Sequence, residues 1–206
     1  MRSGDYTNSG KGTEMGIKIV NILDGMEELG EEALKADLSY FVSEKNPEIE
    51  EFIREKAIEF AKRKLSITYL ITDTTDGVIL GYFTLTHKSV ILSGEGLSKT
   101  FQKKLAAFSR LDKDTGNYVV SAFLLAQLGK NYAVELDRRI SGKRMMELVN
   151  NVLLDVQRRI GGGVLYLDCE DTPKLKVFYS RENFKEFADR FSSEDKRKYI
   201  QFMRFL

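Results

Sequence analysis

The 206-residue chain contains one cysteine, one histidine, two prolines and no tryptophan. With Cys169 alone, no intrachain disulfide can form, and a cysteine-rich zinc module is excluded. With His87 as the sole imidazole, a metal cluster or a Cys–His dyad has little to draw on, and no metal is expected. Excess charge of one sign is missing too. Lys plus Arg is 32 and Asp plus Glu is 31, a net charge of +1, so no global basic footprint marks a nucleic-acid binder, although a local patch stays open. No run of about 18 or more apolar residues occurs, so no membrane partner is expected. Residues 1–14 are polar and rich in Gly and Ser, without the apolar core of a signal peptide. They read as a flexible N-terminal extension ahead of a single domain over residues 15–206. Together with the lone thiol, this makes the cytoplasm the expected compartment.

What is present is folded composition: 42% hydrophobic and 11% aromatic residues. Ile17 to Leu23 is a short apolar element. Glu27 to Val42 reads as a helix weakened by Gly30. Asn46 and Pro47 open a clearer helix, with Ile49, Phe52, Ile53, Ala57 and Phe60 at helical spacing and basic residues at its end. Ser66–Thr72 and Val78–Thr86 are β-rich runs joined by the turn residues Asp73 to Gly77, and form a hairpin that Ser89–Leu92 extends. Tyr118–Leu128 is the most apolar strand, suited to burial on both faces. Ser141–Ile160 is a long helix with a stripe of Met145, Leu148, Val149, Val152, Val156 and Ile160. Gly161-Gly162-Gly163 ends it. The strand Val164–Cys169 follows, parallel to Tyr118–Leu128. Asp171 or Thr172 then caps a helix opened by Pro173. Phe184–Phe187 and Tyr199–Leu206 are the last strands. The order is that of an α/β domain with a mixed central sheet flanked by helices.

The chemically informative stretch is Arg139-Ile140-Ser141-Gly142-Lys143-Arg144, between the apolar strand and the long helix. Unsatisfied N–H groups in a first helical turn, the helix dipole and a glycine that admits close approach suit an anion such as a pyrophosphate. An ordinary Ser-capped helix with solvated basic residues accounts for the hexapeptide equally well.

Wider context adds a resemblance. The sequence resembles the GNAT superfamily of acyl-CoA N-acetyltransferases, whose pyrophosphate loop is Gln/Arg-x-x-Gly-x-Gly/Ala. Arg139 matches its first position and Gly142 its fourth, whereas Arg144 stands where Gly or Ala is usual. Phe178-Tyr179 match the family's aromatic–Tyr pair. Asn183-Phe184 follow in place of Gly-Phe, and Thr172 replaces an Asn. Phe52–Lys64, SITYLITD and VILGYFTLT look like the acetyltransferases of toxin–antitoxin modules and mobile elements. The resemblance runs from Phe52 to Leu206.

It implies a GNAT-like fold and transfer of an acetyl group from acetyl-CoA directly to a primary amine. Arg139, Ile140, Ser141, Gly142, Lys143 and Arg144 would hold the pyrophosphate. Gln127, Leu128 and Gly129 would meet the pantetheine. Tyr179 would be the general acid that protonates the departing thiolate. No base stands out, although Glu170 and Asp171 follow the 160s strand. The acceptor is a small amine, a protein amine or an aminoacyl-tRNA, for which Arg54–Lys64 and Lys103-Lys104 are candidate phosphate contacts. Arg144 and Thr172 keep an alternative open, a non-catalytic GNAT-fold module that binds a partner or regulates. A phosphate-ligand protein using the same helix terminus is a third reading. The C-terminal IQFMRFL reads as an exposed sheet edge that could pair in a homodimer.

Overall fold

The computed structural model describes residues 16–193 and 196–206, so the extension expected over residues 1–14 lies outside the described residues. Seven strands form one mixed sheet in the order β1-β2-β3-β4-β5-β7-β6, with helices flanking it. They are β1 (Ile17–Asn21), β2 (Ile67–Asp73), β3 (Ile79–Ser93), β4 (Asn117–Lys130), β5 (Val164–Glu170), β6 (Lys185–Phe191) and β7 (Lys198–Phe205). The helices are α1 (Ile22–Leu29), α2 (Glu31–Ser39), α3 (Pro47–Glu51), α4 (Ala57–Lys62), α5 (Lys99–Leu105), α6 (Gly142–Ile160) and α7 (Pro173–Arg181). The chain divides into two compact units. One runs to Thr84 and resumes over Gln127–Val149; the other comprises Leu85–Ala126 and Asn150–Leu206.

In the first unit the expected helix over Glu27–Val42 is broken. Gly30 adopts φ +85°, ending α1 and starting α2, which uses the conformational freedom that made it a poor helix residue. The helix after Asn46 starts with Pro47 as expected, then widens into a π-helical turn over Phe52–Lys56 before α4. These helices bury Leu34, Leu38, Phe41, Phe52, Ile53, Ala57 and Ile58 together with Leu70, Ile79 and Tyr82 of β2 and β3. Apolar burial at roughly 25 cal/mol per Å² is what holds such short helices in place. The turn between β2 and β3 is built as its residues require. Asp73 Oδ1 accepts from Thr75 N–H at 2.9 Å, Asp76 Oδ1 accepts from Val78 N–H at 3.1 Å, and Gly77 has φ +74°.

In the second unit β3 continues to Ser93, as the Ser89–Leu92 run implied. The β4–β5 pair is parallel, with Phe123 opposite Leu165 and Leu124 opposite Tyr166. β5 also pairs antiparallel with β7 along its whole length, Val164 to Glu170. The core here joins Val90, Leu92, Leu105, Tyr118, Val120, Val164, Tyr166 and Met203.

Two expectations need correction. IQFMRFL is not a sheet edge: β7 pairs with β5 on one side and β6 on the other. The edge is β6, whose Lys185, Glu186 and Arg190 are exposed charges of the kind that protect an edge from pairing. The homodimer argument built on that segment falls with it. The α6 stripe is also shifted. Met145, Met146, Leu148, Val149 and Leu153 are buried, whereas Ile160 is 68% exposed. Among the described residues no helix is long and apolar enough to cross a membrane.

Candidate functional site

The first unit carries the hexapeptide. A short 3-10 turn, Leu136–Arg138, leads into it. Ile140 is buried and anchors the loop. Ser141 caps α6, its Oγ accepting from Arg144 N–H at 3.1 Å, and its carbonyl accepts from Met145 N–H at 3.0 Å. The Gly142 and Lys143 N–H groups, two and one residues closer to the helix start, have no acceptor among the described residues, as the geometry of a first turn requires. Lys143 and Arg144 are exposed, and Arg144 pairs with Glu147 at 3.0 Å.

Arg139 does something the sequence did not disclose. Its Nη2 donates to Asp76 Oδ2 at 2.7 Å, and its Nη1 lies 3.3 Å from Asp73 Oδ2. Asp73 is fully buried, so this guanidinium compensates a carboxylate that has no access to water. Arg139 holds the Asp76 carboxyl below its usual range, helped by the Val78 N–H. The loop is thereby tied to the β2–β3 turn. No local signal could have shown this, because the partners are more than 60 residues apart.

The end of β4 packs into the same unit. Gln127 and Leu128 are half-buried and Gly129 is buried. A Cβ on Gly129 would lie 2.5 Å from Ile49 Cγ2 and 2.6 Å from the Tyr82 ring. One on Gly81 would lie 2.8 Å from Gly129 O and 2.9 Å from Met145 Cε. Paired glycines therefore let β3, β4 and the first turn of α6 approach closely. Asn131, just past β4, is 3% exposed. It donates to Ile79 O at 2.8 Å and accepts from Val42 N–H at 3.2 Å and Ala133 N–H at 3.0 Å. Sequence reading missed this residue; a lone Asn after a strand looks like any loop residue.

Tyr179 belongs to the second unit. It lies on α7, which Thr172 caps through its Oγ1 at 3.4 Å from Leu175 N. Its ring packs against Phe178, Phe184 and Phe202, with centroids 4.9, 5.7 and 5.9 Å away. Burial pushes the phenol's pKa up, so it stays protonated throughout the physiological range. Asn183 adopts φ +65°, the left-handed turn that its substitution for Gly requires.

The acids at the end of β5 are occupied: Glu170 pairs with Arg197 at 2.7 Å and Asp171 with Lys176 at 2.6 Å. Burial raises the Cys169 thiol to about 12. His87 is exposed, 3.2 Å from Ser121 Oγ and edge-on to Phe123. Among the described residues no group of His, Cys, Asp or Glu side chains is placed to hold a metal ion.

No protein-family model and no curated protein matches the sequence. Solved structures do match. AtaT in complex with acetyl-methionyl-tRNA superposes with a TM-score of 0.60 at 17% identity, over 90% of this chain and 94% of that one. A point mutant of KacT superposes with a TM-score of 0.59 at 18% identity, over 92% and 94%. A GNAT-family acetyltransferase from Desulfovibrio desulfuricans gives 0.53 at 15%, over 92% and 99%. The chain has the fold of the GNAT acetyltransferases, including those of toxin–antitoxin modules.

Proposed function

We propose that this protein is an acetyl-CoA-dependent N-acetyltransferase that acts on a primary amine. The observation that carries the reading is the start of α6. Free Gly142 and Lys143 N–H donors, a capping Ser141 and exposed Lys143 meet at a helix terminus, and that set fits a pyrophosphate. In this reading Gln127, Leu128 and Gly129 present backbone groups to the pantetheine, and Gly142 and Lys143 hold the phosphates. Ile140 and Arg139 fix the loop from behind, Arg139 through Asp73 and Asp76 rather than through the ligand. Acetyl-CoA supplies an acyl carbonyl activated as a thioester. The amine nitrogen forms the new N–C bond, the C–S bond breaks, the amine gives a proton to solvent, the thiolate takes one from Tyr179, and solvent returns a proton to the Tyr179 phenolate. Tyr179 enters that step protonated, as a phenol is at neutral pH.

The acceptor is, in this proposal, the α-amine of an aminoacyl-tRNA. AtaT has been solved with an acetylated aminoacyl-tRNA. The cations support a phosphate-bearing acceptor, though not where the sequence put all of them. Arg54, Lys56 and Lys62 are ion-paired to Glu50, Glu51 and Glu31. By contrast, Lys88 on β3 and Lys99, Lys103, Lys104, Arg110 and Lys113 between β3 and β4 are exposed, and none is in an ion pair among the described residues. Cations without a carboxylate partner bind phosphate by releasing counterions, and Lys104 also lies over the Phe205 ring at 5.6 Å.

The test is transfer of labelled acetyl from acetyl-CoA to aminoacyl-tRNA, to free amino acids and to polyamines. Transfer to aminoacyl-tRNA that Tyr179→Phe slows by roughly 10²-fold or more supports the whole reading. Transfer to free amines alone refutes the tRNA acceptor, and an unaffected Tyr179→Phe rate refutes its acid role. In binding assays, Ala at Lys99, Lys103 and Lys104 should flatten the salt dependence by about one unit of slope per lost phosphate contact.

A further inference from the structure

A second site lies in the second unit, formed by the C-terminal half of α6, the turn after α7 and the end of β7. A groove of about 290 Å³ is lined there by Asn150, Leu153, Leu154, Asn183, Arg204 and Phe205. Arg204 is the unexplained group. A guanidinium has five N–H donors. Two are used: Nη1 donates to Glu182 O at 3.3 Å, and Nη2 donates to Asn150 Oδ1. The other three, including the buried Nε–H, have no acceptor among the described residues. Among the described residues no carboxylate is in ion-pairing range; Glu182 offers its backbone carbonyl, and its carboxylate acts only at longer range. The face of Phe184 lies 4.7 Å from the guanidinium carbon, a favourable but weak partner for a cation.

A half-buried charge with most of its donors unspent is costly unless something pairs with it. Arg204 contrasts with Arg139, Arg190 and Arg197, each of which meets a carboxylate. Beside the polar Asn150, Gln157 and Asn183, the groove has an apolar wall. Leu153 is buried, Leu154 is 50% exposed, and Phe205 stacks on Phe108 at 5.9 Å. An anionic head against Arg204 and a short hydrocarbon stem along Leu153, Leu154 and Phe205 would satisfy both halves. The volume lies at the lower end of ligand-sized cavities, which fits a small molecule.

We propose that this groove binds a small monocarboxylate with a short apolar chain, its carboxylate accepting hydrogen bonds from Arg204 and Asn150. The proposal is independent of acetyl transfer, since none of its residues belongs to the α6 N-terminus, the β4 end or Tyr179.

The probe is hexanoate, titrated calorimetrically into the full chain, with hexanamide as its neutral counterpart. The expected result is one equivalent of hexanoate bound, with hexanamide weaker by about tenfold or more, because an ionised acceptor is exchanged for a neutral one. Arg204→Met should abolish binding. Because that change touches the interior, Leu154→Trp is the second variant: it fills the groove from a position that is already half exposed. Loss of hexanoate binding in Leu154→Trp, with the thermal transition unchanged, supports the site. Absence of hexanoate binding to the wild type overturns the proposal. So does equal affinity for hexanamide, or undiminished binding in Leu154→Trp.

Discussion

Gly129→Ala is a sharp test of how the β4 end is packed. The added methyl would meet Ile49 Cγ2 at 2.5 Å and Tyr82 ring atoms at 2.6 and 3.1 Å. Neither neighbour yields easily. Tyr82 is 0% exposed, its hydroxyl donates to Ile49 O at 2.7 Å, and its ring contacts Phe41 and Phe52 at 5.3 and 6.3 Å. Overpacking a filled core costs about 1–3 kcal/mol. Displacing the ring far enough to break its hydrogen bond adds about 1 kcal/mol. The sum, about 3 kcal/mol, corresponds to a fall in Tm of about 6–12 °C for a chain of this length. Calorimetry or circular dichroism measures it directly. A double-mutant cycle with Ile49→Ala isolates the cause. Removing Cγ2 makes room for the methyl, so the pair should cost less than the sum of the singles by about 1 kcal/mol or more. A Gly129→Ala protein as stable as wild type, or strict additivity with Ile49→Ala, would refute the argument that glycine is there for close approach.

Other consequences follow from single groups. Asn131→Ala removes three hydrogen bonds and strands the Ile79 carbonyl and the Val42 N–H; a loss of about 2–3 kcal/mol is expected in denaturant unfolding. Asp76 has a lowered pKa, so its contribution is present above its unfolded value and lost as pH falls through the folded one. Stability should therefore drop more steeply in wild type than in Asp76→Asn below about pH 4, and the two curves should converge in acid. Cys169, buried with its thiol pushed up to about 12, should resist alkylation at pH 8 in the folded protein and react at once in denaturant.

Where one segment carries its own signal, sequence and structure agree. Pro47 and Pro173 start helices, Asp73–Gly77 is a turn, and Gly161 and Gly162, at φ +73° and +98°, release the chain from α6. The candidate loop was legible for the same reason, because a strand, a Ser-Gly pair and an amphipathic helix follow in order. What stayed hidden depends on partners distant in sequence. The Arg139–Asp73–Asp76 contact, the Asn131 bridge and the Tyr82–Gly129 fit all join segments that only the sheet brings together. The C-terminal strand misled because an apolar tail looks alike whether one neighbour pairs with it or two. The π-helical turn at Phe52–Lys56 also has no sequence mark, since its apolar spacing passes for that of a regular helix.

The central claim is that the first turn of α6 takes the pyrophosphate of acetyl-CoA. Calorimetric titration of wild type and Gly142→Glu with acetyl-CoA tests it most directly. A glutamate in the first helical turn favours the helix dipole, so the fold should be retained while its charge opposes an anion. One equivalent of acetyl-CoA bound by wild type, and loss of that binding in a folded Gly142→Glu, is the predicted result. Undiminished binding in the variant, or none in the wild type, would contradict it.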